Sequence, residues 1–444
     1  MNTSTSPVTR RDFLKTSAAA TAAGLAAVSH TGVFAAGAER LRVGLIGCGA
    51  RGVGAAMNCA IADPAVEITA LADVFPDRVE AALKRLKDNN AGKEWSCSRE
   101  WKDAHRVKVT LDTCFTGFDC AEKLVKAGVD LVLLAGPPHF RPAQLKTAIE
   151  AGKHVFMEKP VGVDPVGIRS ILATSELAKQ KGLGIVAGTQ RRHQNSYTEL
   201  MKRLHDGAIG EIVAGEAYWN GPCVRTYGFY HERQPGWTDM EYMLRNWYFY
   251  TWLSGDHIVE QHVHNLDVIN WAIGSPPAEA VGVGGRQWRV EPQFGNIYDH
   301  FGVRYRYPNG AVVVSTARQI NDTQPLVTEG LIGTKGRASA GQITGANPWR
   351  WQGPNPNPYE QEHADLIASI RAGRPLNEGR QVAEATLTAI MGRMAAYTGQ
   401  AVPWEFVLKE SELDLTPNEI KAHGYQLGPA PKVLPPASGR EPLV

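Results

Sequence analysis

Leu41-Arg42-Val43-Gly44-Leu45-Ile46-Gly47-Cys48-Gly49-Ala50-Arg51-Gly52 is the stretch that decides the first half of the fold. A short apolar run meets a G-x-G-x-x-G, and a small-residue segment follows to Ala62. The run reads as a buried strand and the segment from Gly52 as a helix. In that context each glycine has a task. Gly47 permits the tight turn, Gly49 lets the backbone approach a pyrophosphate, and Gly52 lets helix and strand pack closely. The helix N-terminus at Ala50 and Arg51 receives the phosphate charge. Asp73 lies 21 positions beyond Gly52, at the end of a second strand predicted over Glu67 to Ala72. A carboxylate there bonds both ribose hydroxyls of adenosine and repels a 2′-phosphate, which favours NAD over NADP. Arg78 is the nearby cation with the reach to oppose that preference.

The same alternation continues outward. Pro76 to Lys87 reads as a helix, Asp130 to Ala135 as a third strand, Pro142 to Ala151 as a helix and His154 to Met157 as a fourth strand. Residues 88–112 are polar and aperiodic and read as an insertion. Such alternation builds a doubly wound parallel sheet with helices on both faces, a Rossmann domain. After about residue 210 the pattern becomes β-rich, at Glu211–Tyr218, Ala278–Arg289, His300–Tyr307 and Ala311–Ala317. Pro308-Asn309-Gly310 is a hairpin turn between the last two. A second, α+β domain with a large, mostly antiparallel open sheet follows, with helices at Glu360–Arg371 and Arg380–Thr398. The expected divisions are 1–38, 39–165, 166–410 and an extended tail over 411–444.

Lys plus Arg number 47 and Asp plus Glu 45, a net charge of +2, so neither nucleic acid nor an anionic membrane is indicated as a partner. Residues 1–38 stand apart. Arg10-Arg11 precede an uncharged, alanine-dominated segment ending in Ala36-Gly37-Ala38, the features of a cleavable twin-arginine export signal. No other stretch approaches 18 apolar residues, so no membrane association is expected once the signal is removed. The six cysteines form no C-x-x-C pair and read as buried free thiols.

Three further stretches carry chemistry. Gly136-Pro137-Pro138-His139 and Glu158-Lys159-Pro160 follow the third and fourth strands, at the strand ends where ligands of doubly wound sheets bind. The third is Asp256-His257-Ile258-Val259-Glu260-Gln261-His262-Val263-His264-Asn265-Leu266-Asp267. With the glycine motif, their order resembles the glucose–fructose oxidoreductase, inositol dehydrogenase and related (Gfo/Idh/MocA) family from Leu41 to about Thr398. The resemblance implies a sugar or cyclitol oxidoreductase acting at a secondary alcohol or carbonyl. It implies Lys159, Glu260 and His264 as catalytic residues. This chain has Glu260 where the family commonly has Asp.

The residue chemistry agrees. His264 has a pKa range suited to proton transfer. Lys159 is placed to stabilise a developing alkoxide. If the segment is helical, Glu260 and His264 share a face at i and i+4. Gly47, Gly49, Ala50, Arg51, Gly52, Asp73, Pro137, His139, Glu158 and Lys159 are the expected cofactor residues. Lys159, Arg191, His193, Glu260 and His264 are the expected substrate residues. His257, Glu260, His262 and His264 also hold metal-ligand types, aligned differently on a helix and on a strand, but the chemistry requires no metal and none is expected. Residues 218–252 hold twelve of the 36 aromatics, fit for a carbohydrate contact or for an interface.

The leading expectation is an exported NAD-dependent oxidoreductase acting on a sugar, sugar acid or cyclitol. Its runner-up is a redox-neutral glycosidase or lyase that oxidises its sugar only transiently, and a dinucleotide-bound sensor comes third. Export of an already folded chain favours a tightly bound cofactor, because free nicotinamide nucleotide is scarce outside the cytoplasm. A broad open sheet needs covering, which predicts a homodimer or homotetramer.

Overall fold

The computed structural model describes residues 40–223, 230–436 and 440–444. The expected export signal, and Tyr227 and Phe229 of the aromatic-rich stretch, lie outside them. Six parallel strands form the first sheet: β1 Leu41–Ile46, β2 Val66–Asp73, β3 Cys114–Thr116, β4 Leu131–Leu134, β5 His154–Met157 and β6 Ile185–Ala187. Their spatial order is β3-β2-β1-β4-β5-β6. Every residue of β4 and β5 is buried, as continuous apolar runs covered on both faces require. The carboxyl ends of β1, β2, β4 and β5 carry Gly47, Asp73, Gly136 and Glu158.

Two sequence expectations need correction here. The third strand along the chain is β3, which precedes Leu131–Leu134; three half-buried residues at a sheet edge carry no readable period. The parallel sheet also runs past the expected boundary at residue 165, because β6 pairs with β5. The polar stretch 88–112 is tied down: Trp101 is 1% exposed and its indole donates to the Leu86 carbonyl at 2.8 Å.

Nine strands form the second sheet: β7 Ile212–Gly221, β8 Glu279–Gly285, β9 His300–Arg306, β10 Val312–Gln319, β11 Leu326–Gly333, β12 Gly336–Ser339, β13 Gln342–Gly345, β14 Trp349–Arg350 and β15 Val402–Pro403. The order is β14-β13-β12-β11-β7-β10-β9-β8-β15. All pairs are antiparallel except β7 with β10. The β9–β10 turn forms where expected, with Gly310 at φ 88°. One face packs on the helices Val263–Ile273 and Gly379–Thr398. The other is open, and Val281, Val283 and Val314 stand exposed on it.

The segment expected as one helix is two. His257–Glu260 and Val263–Ile273 are separated by Gln261 and His262. Asp256, at φ 75°, starts the first piece by accepting from the His257 N–H. Its other oxygen accepts from the Tyr298 N–H at 2.8 Å and the Tyr397 hydroxyl at 2.6 Å. Burial pushes Asp256 up to about 6 against these three bonds. The expected extended tail carries a short helix, Asn418–His423. No described helix is long and apolar enough to cross a membrane.

Candidate active site

The glycine loop fits a dinucleotide by the space it leaves. A side chain at Gly47, which has φ 96°, would strike the Gly136 backbone, and one at Gly52 would strike the Gly47 carbonyl. A Cβ at Gly49 would meet nothing within 4 Å. The loop is therefore closed toward the protein and open toward the strand-end crevice. Gly49 caps the helix Ala50–Ala62 without any side-chain hydrogen bond, leaving its first N–H groups available to an anion. Asp73 accepts from the Cys48 N–H at 2.8 Å and the Phe75 N–H at 3.0 Å. It thus ties the loop to β2 and keeps lone pairs for ribose hydroxyls. Arg78 is bonded to His231 at 3.0 Å.

Arg51 does not reach outward. Its guanidinium pairs with Glu158, bonds Asn58 at 3.0 Å and lies 3.5 Å from Glu362. Burial and the neighbouring Glu158 charge hold Glu362 well above the usual carboxylate range. This buried group fastens the glycine-loop helix to the end of β5 and to the helix Pro358–Arg371. Arg141, which no sequence motif marks, does similar work beside it. It donates to the Gly136 carbonyl and, at 2.5 Å, to the Pro160 carbonyl. The loops after β4 and β5 are thereby held together.

Next along the chain, Lys159 donates to the Glu260 carbonyl at 2.7 Å and to its Oε1 at 3.2 Å. The other carboxylate oxygen of Glu260 is buried and has no donor among the described residues. His264 is 8% exposed and faces the Trp219 ring at 5.8 Å. Burial, reinforced by the Lys159 and Arg191 charges, holds its pKa well below the usual imidazole range. Lys159 and Glu260 are thus in contact, and the Lys159 charge acts on the buried His264. Such a set can polarise an alcohol oxygen, accept its proton and hold a neighbouring hydroxyl.

The remaining expected residues divide. Arg191 is bonded at 2.8 Å to Glu329, which also accepts from Tyr197 at 2.6 Å and Asn265 at 2.7 Å. Nothing local in the sequence marks Glu329, whose partner Arg191 is 138 positions away. The structure sets His193 to a different use, between Asp365 at 2.6 Å and Glu378 at 3.3 Å. Burial opposes its charge, but the two carboxylates outweigh burial and push it up to about 10. His139 bonds the Tyr425 hydroxyl at 2.6 Å. His262 bonds Ser315 at 2.6 Å, and His257 packs edge-on to Phe301. Among the described residues, no three His, Cys, Asp or Glu side chains converge on a metal position.

A family model described as an oxidoreductase family with an NAD-binding Rossmann fold matches residues 41–188. A second, the GFO/IDH/MocA C-terminal domain, matches residues 197–339. A twin-arginine translocation signal matches residues 7–27. The 2,7-anhydro-N-acetylneuraminate hydratase of Escherichia coli (strain K12) is 26% identical over 182 residues, 41% of this chain and 44% of that protein. Inositol 2-dehydrogenase 1 of Saccharopolyspora erythraea is 37% identical over 157 residues, 35% of this chain and 39% of that protein. The chain thus spans less than half the length of these two relatives. The structure of scyllo-inositol dehydrogenase from Lactobacillus casei with bound NAD(H) and scyllo-inositol aligns with a TM-score of 0.60 at 20% identity. That match covers 82% of this chain and 99% of the other, and it shows a shared fold.

Two outcomes follow from this geometry. Gly49→Ala should fold with a melting temperature close to that of the unaltered chain yet weaken NAD binding tenfold or more, measured by titration calorimetry. Gly52→Ala should lose stability itself, by about 1–3 kcal/mol from backbone overpacking. Equal stability of the two variants would contradict the assignment. For His193, a pKa raised from 6.5 to about 10 means stabilisation that is full below 6.5 and lost as pH rises through about 10. Melting temperature should fall across that window in the unaltered chain, and the His193-dependent part of the fall should vanish in His193→Gln. An identical slope in both would remove the ion-pair account.

Proposed function

The chain belongs to the GFO/IDH/MocA family of oxidoreductases, and on that premise we propose that it is an exported, NAD-dependent enzyme acting on a secondary alcohol or carbonyl of a sugar, sugar acid or cyclitol. The observation that carries this reading is the Glu260 carboxylate. One oxygen holds the Lys159 ammonium, and the other is buried without a donor among the described residues. A buried acceptor without a donor is available to a substrate hydroxyl. Beside it, Lys159 donates to the reacting oxygen and stabilises charge growing there. His264, neutral at working pH, takes the hydroxyl proton as the carbonyl forms. Bound NAD supplies the hydride acceptor, or the donor in the reverse direction. Gly47, Gly49, Ala50 and Gly52 would hold its pyrophosphate, and Asp73 its adenosine ribose. Arg78, bonded to His231 through one N–H, keeps its charge and is the cation near Asp73 that opposes the preference for NAD over NADP. Arg191 is the further substrate contact.

The twin-arginine signal gives the periplasm or another exported site as the place of action. An enzyme there cannot draw on a cytoplasmic nucleotide pool, which supports a cofactor carried out tightly bound. A redox-neutral reading, in which the hydride returns before product leaves, gains support from the similarity to a hydratase, since hydration involves no net oxidation. The exposed Val281, Val283 and Val314 of the open sheet face support a homodimer or homotetramer.

With purified protein and a panel of sugars and cyclitols, Lys159→Ala and His264→Ala should each lower kcat by about 10²-fold or more. Wild-type rates with either variant would remove that residue from the chemistry. Because His264 must be neutral to accept a proton and its pKa is depressed, the acid limb of kcat/KM should lie below pH 6.5. A limb at or above that value would argue against His264 as the base. Product release without net reduced nucleotide would favour the redox-neutral reading. Light scattering should return a dimer or tetramer mass; a monomer would leave the open sheet face unexplained.

A further inference from the structure

We propose that the C-terminal tail is part of the dinucleotide site, with Tyr425 a positioning residue over its adenosine end. The inference rests on the NAD-dependent reading and adds a chain segment that neither the glycine motif nor the strand ends supply. In a doubly wound sheet the dinucleotide lies along the carboxyl ends of the strands, and Asp73 marks the adenosine ribose on the β2 side of the glycine loop. The loops leaving β2, β3 and β4 carry Phe75, Phe118 and Phe140. These three rings join one small apolar cluster, Phe75 and Phe118 on the β2 side of the glycine loop and Phe140 across it beside β4, and the tail contributes Leu415, Ile420 and Tyr425 to it.

Tyr425 occupies a defined place there. Its ring stacks on Phe118, with centroids 5.3 Å apart and planes at 25°. It lies 5.2 Å from the Phe140 ring. Its hydroxyl bonds His139, in the loop after β4. The tail is also clipped at successive points. The Leu415 N–H donates to Asp164 at 2.9 Å. The Gly428 carbonyl accepts from the Met240 N–H at 3.0 Å. The Leu434 carbonyl accepts from Asn296 at 3.2 Å. A segment bonded on both sides of Tyr425 is a strap laid across the crevice edge. Aromatic faces at that edge suit a purine, and a strap over them slows its departure. Slow departure is what an exported enzyme with no nucleotide supply requires.

The test follows release of NADH by fluorescence after a chase with excess NAD. Tyr425→Ala should raise the release rate about tenfold, the combined weight of an aromatic contact and a hydrogen bond. Tyr425→Phe, which keeps the ring, should fall between it and the unaltered chain. Phe118→Leu, which removes the ring that Tyr425 stacks on, supplies a second measurement and should also raise the release rate. Release rates that ignore both Tyr425→Ala and Phe118→Leu would overturn the proposal while leaving the NAD reading intact. An unaltered chain that binds no NADH would overturn both.

Discussion

The side chain of Lys159 is only 11% exposed, and one residue from the other half of the molecule satisfies its ammonium. Taking a cation out of water costs several kcal/mol unless it is paired and hydrogen-bonded. Glu260 meets both needs with its backbone carbonyl and its carboxylate. That carbonyl is free to accept because the helix His257–Glu260 stops there, and the last carbonyls of a helix have no N–H of their own. A continuous helix through residue 264 would have claimed it. The break at Gln261 and His262 is thus coupled to the placement of the lysine. Asp256, clamped by Tyr298 and Tyr397, fixes the other end of the same short piece.

From that contact the rest of the site is held by buried polar fastenings. Arg51, Glu158 and Glu362 join the phosphate end of the crevice to β5 and to the helix Pro358–Arg371. Arg141 joins the loops after β4 and β5. His193 locks Asp365 and Glu378 together behind them. Each removes freedom from a group that must be placed before substrate arrives, which is how an enzyme lowers the cost of organising charge at the reacting centre.

Much of this was legible along the chain, because the physics is local. A strand, a glycine turn, a helix and an acid fall within the 33 positions from Leu41 to Asp73, and each constrains the next. Lys159 and Glu260 were legible as types in an order. What escaped is what local pattern cannot encode. Arg141 reads as an ordinary helix-start arginine until its two carbonyl partners are seen. Glu329 and Tyr425 meet their partners across 138 and 286 positions. His193, expected at the substrate, is an ion-pair member, because only folding brings two carboxylates to it. The strands β12 to β14 escaped for a related reason: they are two to four residues long, and their pairing rather than their composition defines them.

The central claim is that hydrogen leaves a carbinol carbon of the substrate for a nicotinamide held beside Lys159 and His264. The direct measurement is to load the purified enzyme with NAD, add a substrate deuterated at its carbinol carbons, quench with acid during turnover and weigh the bound nucleotide by mass spectrometry. The account predicts deuterium in the nicotinamide, whether the reaction ends in net oxidation or returns the hydride. Product accumulating while the nicotinamide stays unlabelled would contradict it.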